Sequence, residues 1–486
     1  MKFRTLISAA IVTIMSAGAV SAQFMEDALR YAVPNGIFTP RVAGLNVAYH
    51  GIADDAGAMV FNPAGLSLVT KSELTVGLGF TRNNTETKFL DNFNELSTNN
   101  EFISHAALVA PIKMGENRAS VGIGYFQESD FDNNMKYSGF NKSSSLIGWE
   151  AQNGPQQFED NWATQLFLAN TKFNTPVTDS VEQYSFVQEG GGLHNFIGAA
   201  AFDLNPNVAV GFSFIGKWGS YKYTREYTET DVLNIYDYYD EPDYDNNYYG
   251  YSNIDFNQLR MNENVTQNIS GITGRLALQL RALDFLRVGL SVQFPTYFEV
   301  DEDWSQNAEA EYDNPDETGR KIYNYKNNGQ SSYNIKTPFV YSAGMSLNAM
   351  GVTFAAGVEY TDASQLEFSD GPPQLDQLNL AIVQELVGQV TWGFGAEYQL
   401  PLLPIVARAS YASTTSPYAD DIANANKSYF SLGGGVYIGK SVRIDALMRW
   451  TDHSELRTNY GSFTDGSHYI FNKQPLNIAL GFTYRY

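Results

Sequence analysis

The sequence predicts an all-β protein: a 14-stranded antiparallel transmembrane β-barrel with an N-terminal hatch, or plug, inside its lumen. Three observations carry that prediction. An export leader precedes a chain without a later apolar helix, two-residue alternation recurs in segment after segment, and short connections take turns with long ones.

The leader comes first. Lys2 and Arg4 precede an apolar run from Leu6 to Val20, and Val20-Ser21-Ala22 supplies the small residues of a cleavage site, so residues 1–22 read as a secretory signal peptide. Cleavage before Gln23 removes two of the 31 basic residues and leaves 29 against 53 acidic ones. Such a surface repels phosphate, which argues against a nucleic-acid partner. The chain has no cysteine, which excludes disulfides, a thiolate metal site and a lipid anchor on Cys. No later stretch approaches the roughly 20 consecutive apolar residues of a membrane helix. With 31 Tyr, 31 Phe and 41 Gly, the exported chain suits the Gram-negative outer membrane.

The strands follow from the side-chain period of two. Leu74, Val76, Leu78 and Phe80 form one face, and Glu73, Thr75, Gly77 and Gly79 the other. The same alternation runs through Leu286 to Phe294, Val352 to Tyr360, Trp392 to Tyr398, Val442 to Trp450 and Leu476 to Tyr486. The predicted strands are 72–89, 100–113, 118–138, 190–204, 207–227, 262–282, 285–300, 332–349, 351–362, 387–400, 403–415, 427–438, 441–455 and 474–486. A soluble sandwich alternates too, but it has no reason to place tight turns such as Asn205-Pro206, Leu283-Asp284 and Gly439-Lys440 at every second junction. An outer-membrane barrel keeps short turns in the periplasm and long loops outside.

The loops carry further expectations. Residues 227–256 are crowded with Tyr, Asp, Glu and Asn. Their ordinary reading is a solvated external loop. Asp243, Asp245 and Asn247 begin a calcium-loop spacing, but Tyr248 and Ile254 replace its Gly and Glu. Leu375, Leu378, Ile382, Val383 and Leu386 recur at helical spacing after Pro372-Pro373, and Trp162, Leu166 and Phe167 suggest a second loop helix. Their apolar faces would close the barrel top or form a groove for greasy ligands.

No catalytic constellation emerges. His50, His105, His194, His453 and His468 are scattered without ligand spacing and read as lumen or loop residues. Neither a catalytic role, a metal nor a cofactor is assigned. The inward parity of the strands collects charge instead: Arg275, Arg281, Arg287, Glu359, Glu397, Arg408, Arg443, Asp445, Arg449 and Arg485. Most would hold a plug or one another through ion pairs. Arg408, Arg449 and Arg275, nearer mid-strand, are the candidates for meeting a substrate carboxylate, because guanidinium matches that geometry. A 14-strand lumen leaks unless filled, and the Gly-, Ala-, Pro- and Asn-rich residues 23–71 are the filler available. The barrel domain is then 72–486.

Ile52-Ala53-Asp54-Asp55-Ala56-Gly57, followed by Asn62-Pro63-Ala64, resembles the hatch signature of the outer-membrane long-chain fatty-acid transporter family, which includes aromatic-hydrocarbon importers. Gly357 to Asp362, Gly395 to Tyr398 and Ala407 to Tyr411 resemble that family's later strands. The resemblance implies external capture of a hydrophobic molecule, such as a fatty acid or aromatic hydrocarbon, and its lateral release into the bilayer through a gap in the wall. It carries over Asp54, Asp55, Asn62, Pro63 and Ala64 as hatch residues, and Gly122 and Gly124 as candidates for a kink in the third strand. Ordinary lumen glycines are the alternative. A rival role is assembly or attachment, with a protein docked on the external loops. A continuous apolar path would favour transport, and a filled lumen with broad loop surfaces would favour a partner.

Overall fold

The computed structural model describes residues 25–114, 117–236, 255–316, 318–419, 421–461 and 466–486. The leader and the Asp243, Asp245 and Asn247 spacing lie outside them. Fourteen antiparallel strands form the wall: β1 (Glu73–Phe89), β2 (Asn92–Met114), β3 (Asn117–Asp130, continued by Asn133–Asn141), β4 (Val181–Asn205), β5 (Val208–Thr230), β6 (Phe256–Leu283), β7 (Leu286–Gln293, continued by Tyr297–Tyr312), β8 (Ile322–Lys336, continued by Val340–Ala349), β9 (Val352–Asp362), β10 (Gly388–Gln399), β11 (Ile405–Thr414), β12 (Lys427–Ile438), β13 (Val442–Tyr460) and β14 (Ser467–Arg485). The sheet closes where β14 pairs with β1, from Glu73 opposite Arg485 to Lys88 opposite Ile470. Closure leaves the end strands no free edge along that seam.

The alternation has the predicted sense. Leu74, Val76 and Leu78 point outward and Glu73, Thr75 and Gly77 inward. Around the wall Ile123, Phe214, Leu276, Leu290, Met345, Phe354, Phe394, Leu432, Ile444 and Leu480 stand exposed. So continuous an apolar belt would be untenable in water, where exposed patches rarely exceed several hundred Å²; in lipid it is the favoured surface. The molecule is an outer-membrane barrel.

Several strands outrun their predicted bounds because the chain stays paired after it leaves the apolar zone. The outward side chains of β4 before residue 190 include Glu182 and Gln188, and those of β7 continue past residue 300 as Asp301 and Asp303. The first external connection, expected to be a loop of about ten residues, is a tight hairpin at Leu90-Asp91. In β7 and β8 the ladder is interrupted at one height, around Pro295 and Pro338, since neither ring can donate a ladder hydrogen bond.

The loop helix forms at Leu375–Glu385, with Leu375 and Ile382 buried while Leu380 and Val383 remain exposed. The second is a single turn, Trp162–Gln165, beside an unforeseen helix at Leu146–Asn153. Their apolar residues pack with Tyr227, Phe256 and Tyr312 from the upper wall and so close the top. Arg placed on the lipid belt tests its assignment: Leu78→Arg should destabilise the barrel by about 2–4 kcal/mol in a urea titration in liposomes. An unchanged midpoint would mean that this face does not meet lipid.

Candidate functional site: the N-terminal segment and a break in the wall

Residues 25–69 build the site. After α1 (Met25–Ala32) comes α2 (Pro40–Leu45), capped by the Thr39 hydroxyl accepting from the Val42 amide and started by Pro40, whose missing N–H costs nothing there. Tight turns follow at Asn46–Gly51, Ala58–Phe61 and Pro63–Leu68. α2 packs on β10 to β14, Asn46–Gly51 on β7 to β11, and Pro63–Leu68 on β3 to β6. The segment therefore touches the inner side of the wall in opposite directions.

Inward glycines let it approach so closely. A Cβ at Gly289 would stand 2.0 Å from the His50 carbonyl oxygen, and one at Gly357 would stand 2.2 Å from that of Val47. Gly211 and Gly344 meet Ala64 and Gly51 in the same way. Gly122 and Gly124 belong with this group: their missing side chains make room for Met59. Asn62 donates to the His50 carbonyl at 3.0 Å and to Gln279 Oε1 at 2.7 Å, tying two turns of the segment to β6. Pro63 and Ala64 are buried beside it.

Asp54 and Asp55 enter a closed circuit of charges. Arg41 binds Asp55 at 2.9 Å, Asp54 at 2.5 Å and Glu397 at 2.9 Å. Glu397 binds Arg408 at 2.5 Å, Arg408 binds Asp445 at 2.6 Å, and Asp445 binds Arg443 at 2.7 Å. Arg443 returns to Asp55 at 3.1 Å. Arg287 adds a 3.2 Å contact to Asp54, so four guanidiniums face four carboxylates. Burial alone would raise the Asp55 carboxyl, but Arg41, Arg443 and the Tyr49 hydroxyl, donating at 2.6 Å, hold it well below the usual carboxylate range. His50, buried nearby, is pushed down by burial despite Glu359 at 3.5 Å.

This circuit corrects the expectation for Arg408. Its side chain is 1% exposed and bound to Glu397 and Asp445, so no substrate carboxylate can reach it. Arg275 donates to the Phe61 carbonyl, Ser291 and Gln293. Arg449 donates to the carbonyls of Gly36 at 3.3 Å and Asn35 at 3.0 Å. All three candidate arginines serve the chain itself. The inward ion pairs were legible as a class, but these partners are not, because they come from far along the chain.

The third strand is irregular, though past the glycines. Its ladder with β2 ends at His105 opposite Phe126, and its register with β4 shifts between Gln127 and Ser129. Beyond, Asn133–Asn141 crosses the inner side of β1, where Thr85 donates to the Asn134 carbonyl at 2.9 Å and Asn83 to that of Asp132. Among the described residues no ladder joins residues 92–104 of β2 to the third strand. The opposing edge of β3 is met by the N-terminal segment. Gly36 donates to the Glu128 carbonyl at 2.8 Å, and the Asn35 side chain both donates to the Asp130 carbonyl at 3.0 Å and accepts from its amide at 2.9 Å. Lys217 holds the Glu128 carboxylate at 2.6 Å, with both side chains buried.

Of the histidines, His194 departs from expectation. It faces outward between Tyr125 and Trp218, and the Tyr125 hydroxyl lies 2.9 Å from its Nδ1. α1 packs with Phe131, Tyr221, Phe298 and Tyr333 above the segment, and Val42, Leu45, Tyr49 and Met59 fill the middle.

Removing one buried partner leaves an uncompensated charge. Asp55→Asn should cost about 3–5 kcal/mol at neutral pH. Since the folded pKa lies below the unfolded one, the Asp55 contribution is complete above about pH 4 and is lost as the pH falls toward the folded value. Thermal unfolding in detergent should thus show a wide gap between wild type and variant at pH 7 that narrows at pH 3. An equal gap at both would contradict the assignment.

No family model matches the chain, and no curated protein matches it. Solved structures do. A Pseudomonas aeruginosa FadL homologue aligns over 93% of this chain and 99% of its own at 12% identity, with a TM-score of 0.57. The P. putida toluene transporter TodX aligns over 89% and 94% at 12% identity, with a TM-score of 0.52. The CymD monoaromatic hydrocarbon channel aligns over 92% and 98% at 14% identity, with a TM-score of 0.50. The chain is FadL-like in fold, a closed 14-strand antiparallel barrel.

Proposed function

We propose that the protein imports hydrophobic compounds passively across the outer membrane, with residues 25–71 as a hatch that covers a lateral exit. The interrupted ladder between β2 and β3 carries this reading. A wall strand that abandons its neighbour exposes unpaired backbone, which is costly in lipid unless something else satisfies it. Here the neighbour is replaced by Asn35 and Gly36, held by Arg449. An apolar solute gains about 0.8 kcal/mol per CH₂ kept from water, so release sideways into the bilayer needs no energy source.

Structures of similar fold include a toluene transporter and a monoaromatic hydrocarbon channel. Long-chain fatty acids are the first class to test here, and aromatic hydrocarbons the second. The packed lumen supports the rival reading, an assembly or attachment partner acting through the external loops. Import therefore requires the segment to yield.

The absence of native cysteine permits a direct test. Asn100 donates to Asp130 at 3.0 Å across the break. Purified protein in liposomes should take up a labelled fatty acid or toluene above empty vesicles. Joining Asn100→Cys and Asp130→Cys by oxidation should reduce uptake at least tenfold, with recovery on reduction. No uptake of either compound by the folded wild type would leave the partner role; uptake indifferent to the cross-link would refute exit at this break.

A further inference from the structure

We propose that the periplasmic end of the lumen is a binding site for a small soluble polyanion, one bearing two or more phosphate or carboxylate groups. A cavity of about 840 Å³ opens there, among the tight turns at Asn205-Pro206 and Lys440 and the chain ends at Lys71 and Arg485. That volume is within the ordinary range of ligand sites, about 300–1,000 Å³.

Its electrostatics run against those of the chain. The protein carries a net charge of −22, yet among the described residues eight lining side chains are basic and four acidic. Every one of the four carboxylates is already engaged: Asp54 by Arg41 and Arg287, Glu73 by Arg485, Asp203 by Arg281, and Glu397 by Arg41 and Arg408. Lys71, Arg118 and Lys440 are exposed and have no ion-pair partner among the described residues. Arg281 Nε is buried at the rim without a hydrogen-bond partner among the described residues. A cavity whose acids are spent and whose cations converge is complementary to added negative charge.

The geometry restricts the source of that charge. Its lining combines inward-facing strand residues such as Arg281 and Arg287 with Arg41 and Asp54 of the N-terminal segment and the turn residues Pro206 and Lys440, and its opening at the periplasmic end admits a small soluble anion directly. Guanidinium forks suit oxyanions that accept two parallel hydrogen bonds. Arg287, 37% exposed and 3.2 Å from Asp54, has the longest contact of the charge circuit and lies on the cavity surface, so a bound anion would compete with Asp54 for it.

Isothermal titration of the full chain in neutral detergent tests the site, with pyrophosphate and citrate as probes. At least one should bind with one-to-one stoichiometry and weaken as salt rises; which of them binds separates phosphate from carboxylate chemistry. The double variant Arg118→Ala, Lys440→Ala should weaken it at least tenfold with an unchanged melting profile. Lys326→Ala, at the opposite end, should leave it as in the wild type. Binding of neither probe, or binding equal in the double variant and wild type, would overturn the proposal.

Discussion

A closed circuit of buried ion pairs, from Arg41 through Glu397, Arg408, Asp445, Arg443 and Asp55, is the constraint on which the rest of the lumen depends. Taking charges out of water costs several kcal/mol per ion, and mutual pairing repays this only when each partner stays in place. Arg41 and Asp55 belong to the N-terminal segment, whereas the other four project from three wall strands. No member can be withdrawn without leaving its neighbours exposed to the full cost. The segment is therefore held in one place, and the inward glycines of β5, β7, β8 and β9 let its backbone lie directly on the sheet there.

That placement accounts for the third strand. With α2 fixed by the circuit, the residues just before it arrive at the inner edge of β3, where Gly36 and Asn35 bind Glu128 and Asp130. The strand can leave β2 because its freed groups have other partners. Lys217, across β4, secures the bulge from inside. The wall break and the segment are one arrangement.

Much of this was legible in the sequence. Alternation distinguished lipid from lumen faces because the period of two is local, and the order of turns distinguished barrel from sandwich. Strand ends were missed where pairing continued above the apolar zone, as in β4 and β7. Asp54, Asp55 and Asn62 stood out by motif, but their partners did not. Arg408 read as a free cation only because Glu397, Asp445 and the segment are brought to it by folding. Gly122 and Gly124 suggested a kink, whereas what they supply is space for Met59, a residue far away in the chain. His194 broke the inward rule through aromatic neighbours on two adjoining strands, which a single-strand pattern cannot reveal.

The central claim is that the charge circuit positions the segment and, through it, the edge of the third strand. Amide hydrogen exchange of wild type and Arg443→Gln in the same detergent tests it most directly. Loss of the Arg443 contacts should speed exchange across residues 35–61 and at residues 126–130, which are remote from position 443 in sequence. Acceleration confined to the start of β13 would show that the circuit does not hold the segment, and would contradict the account.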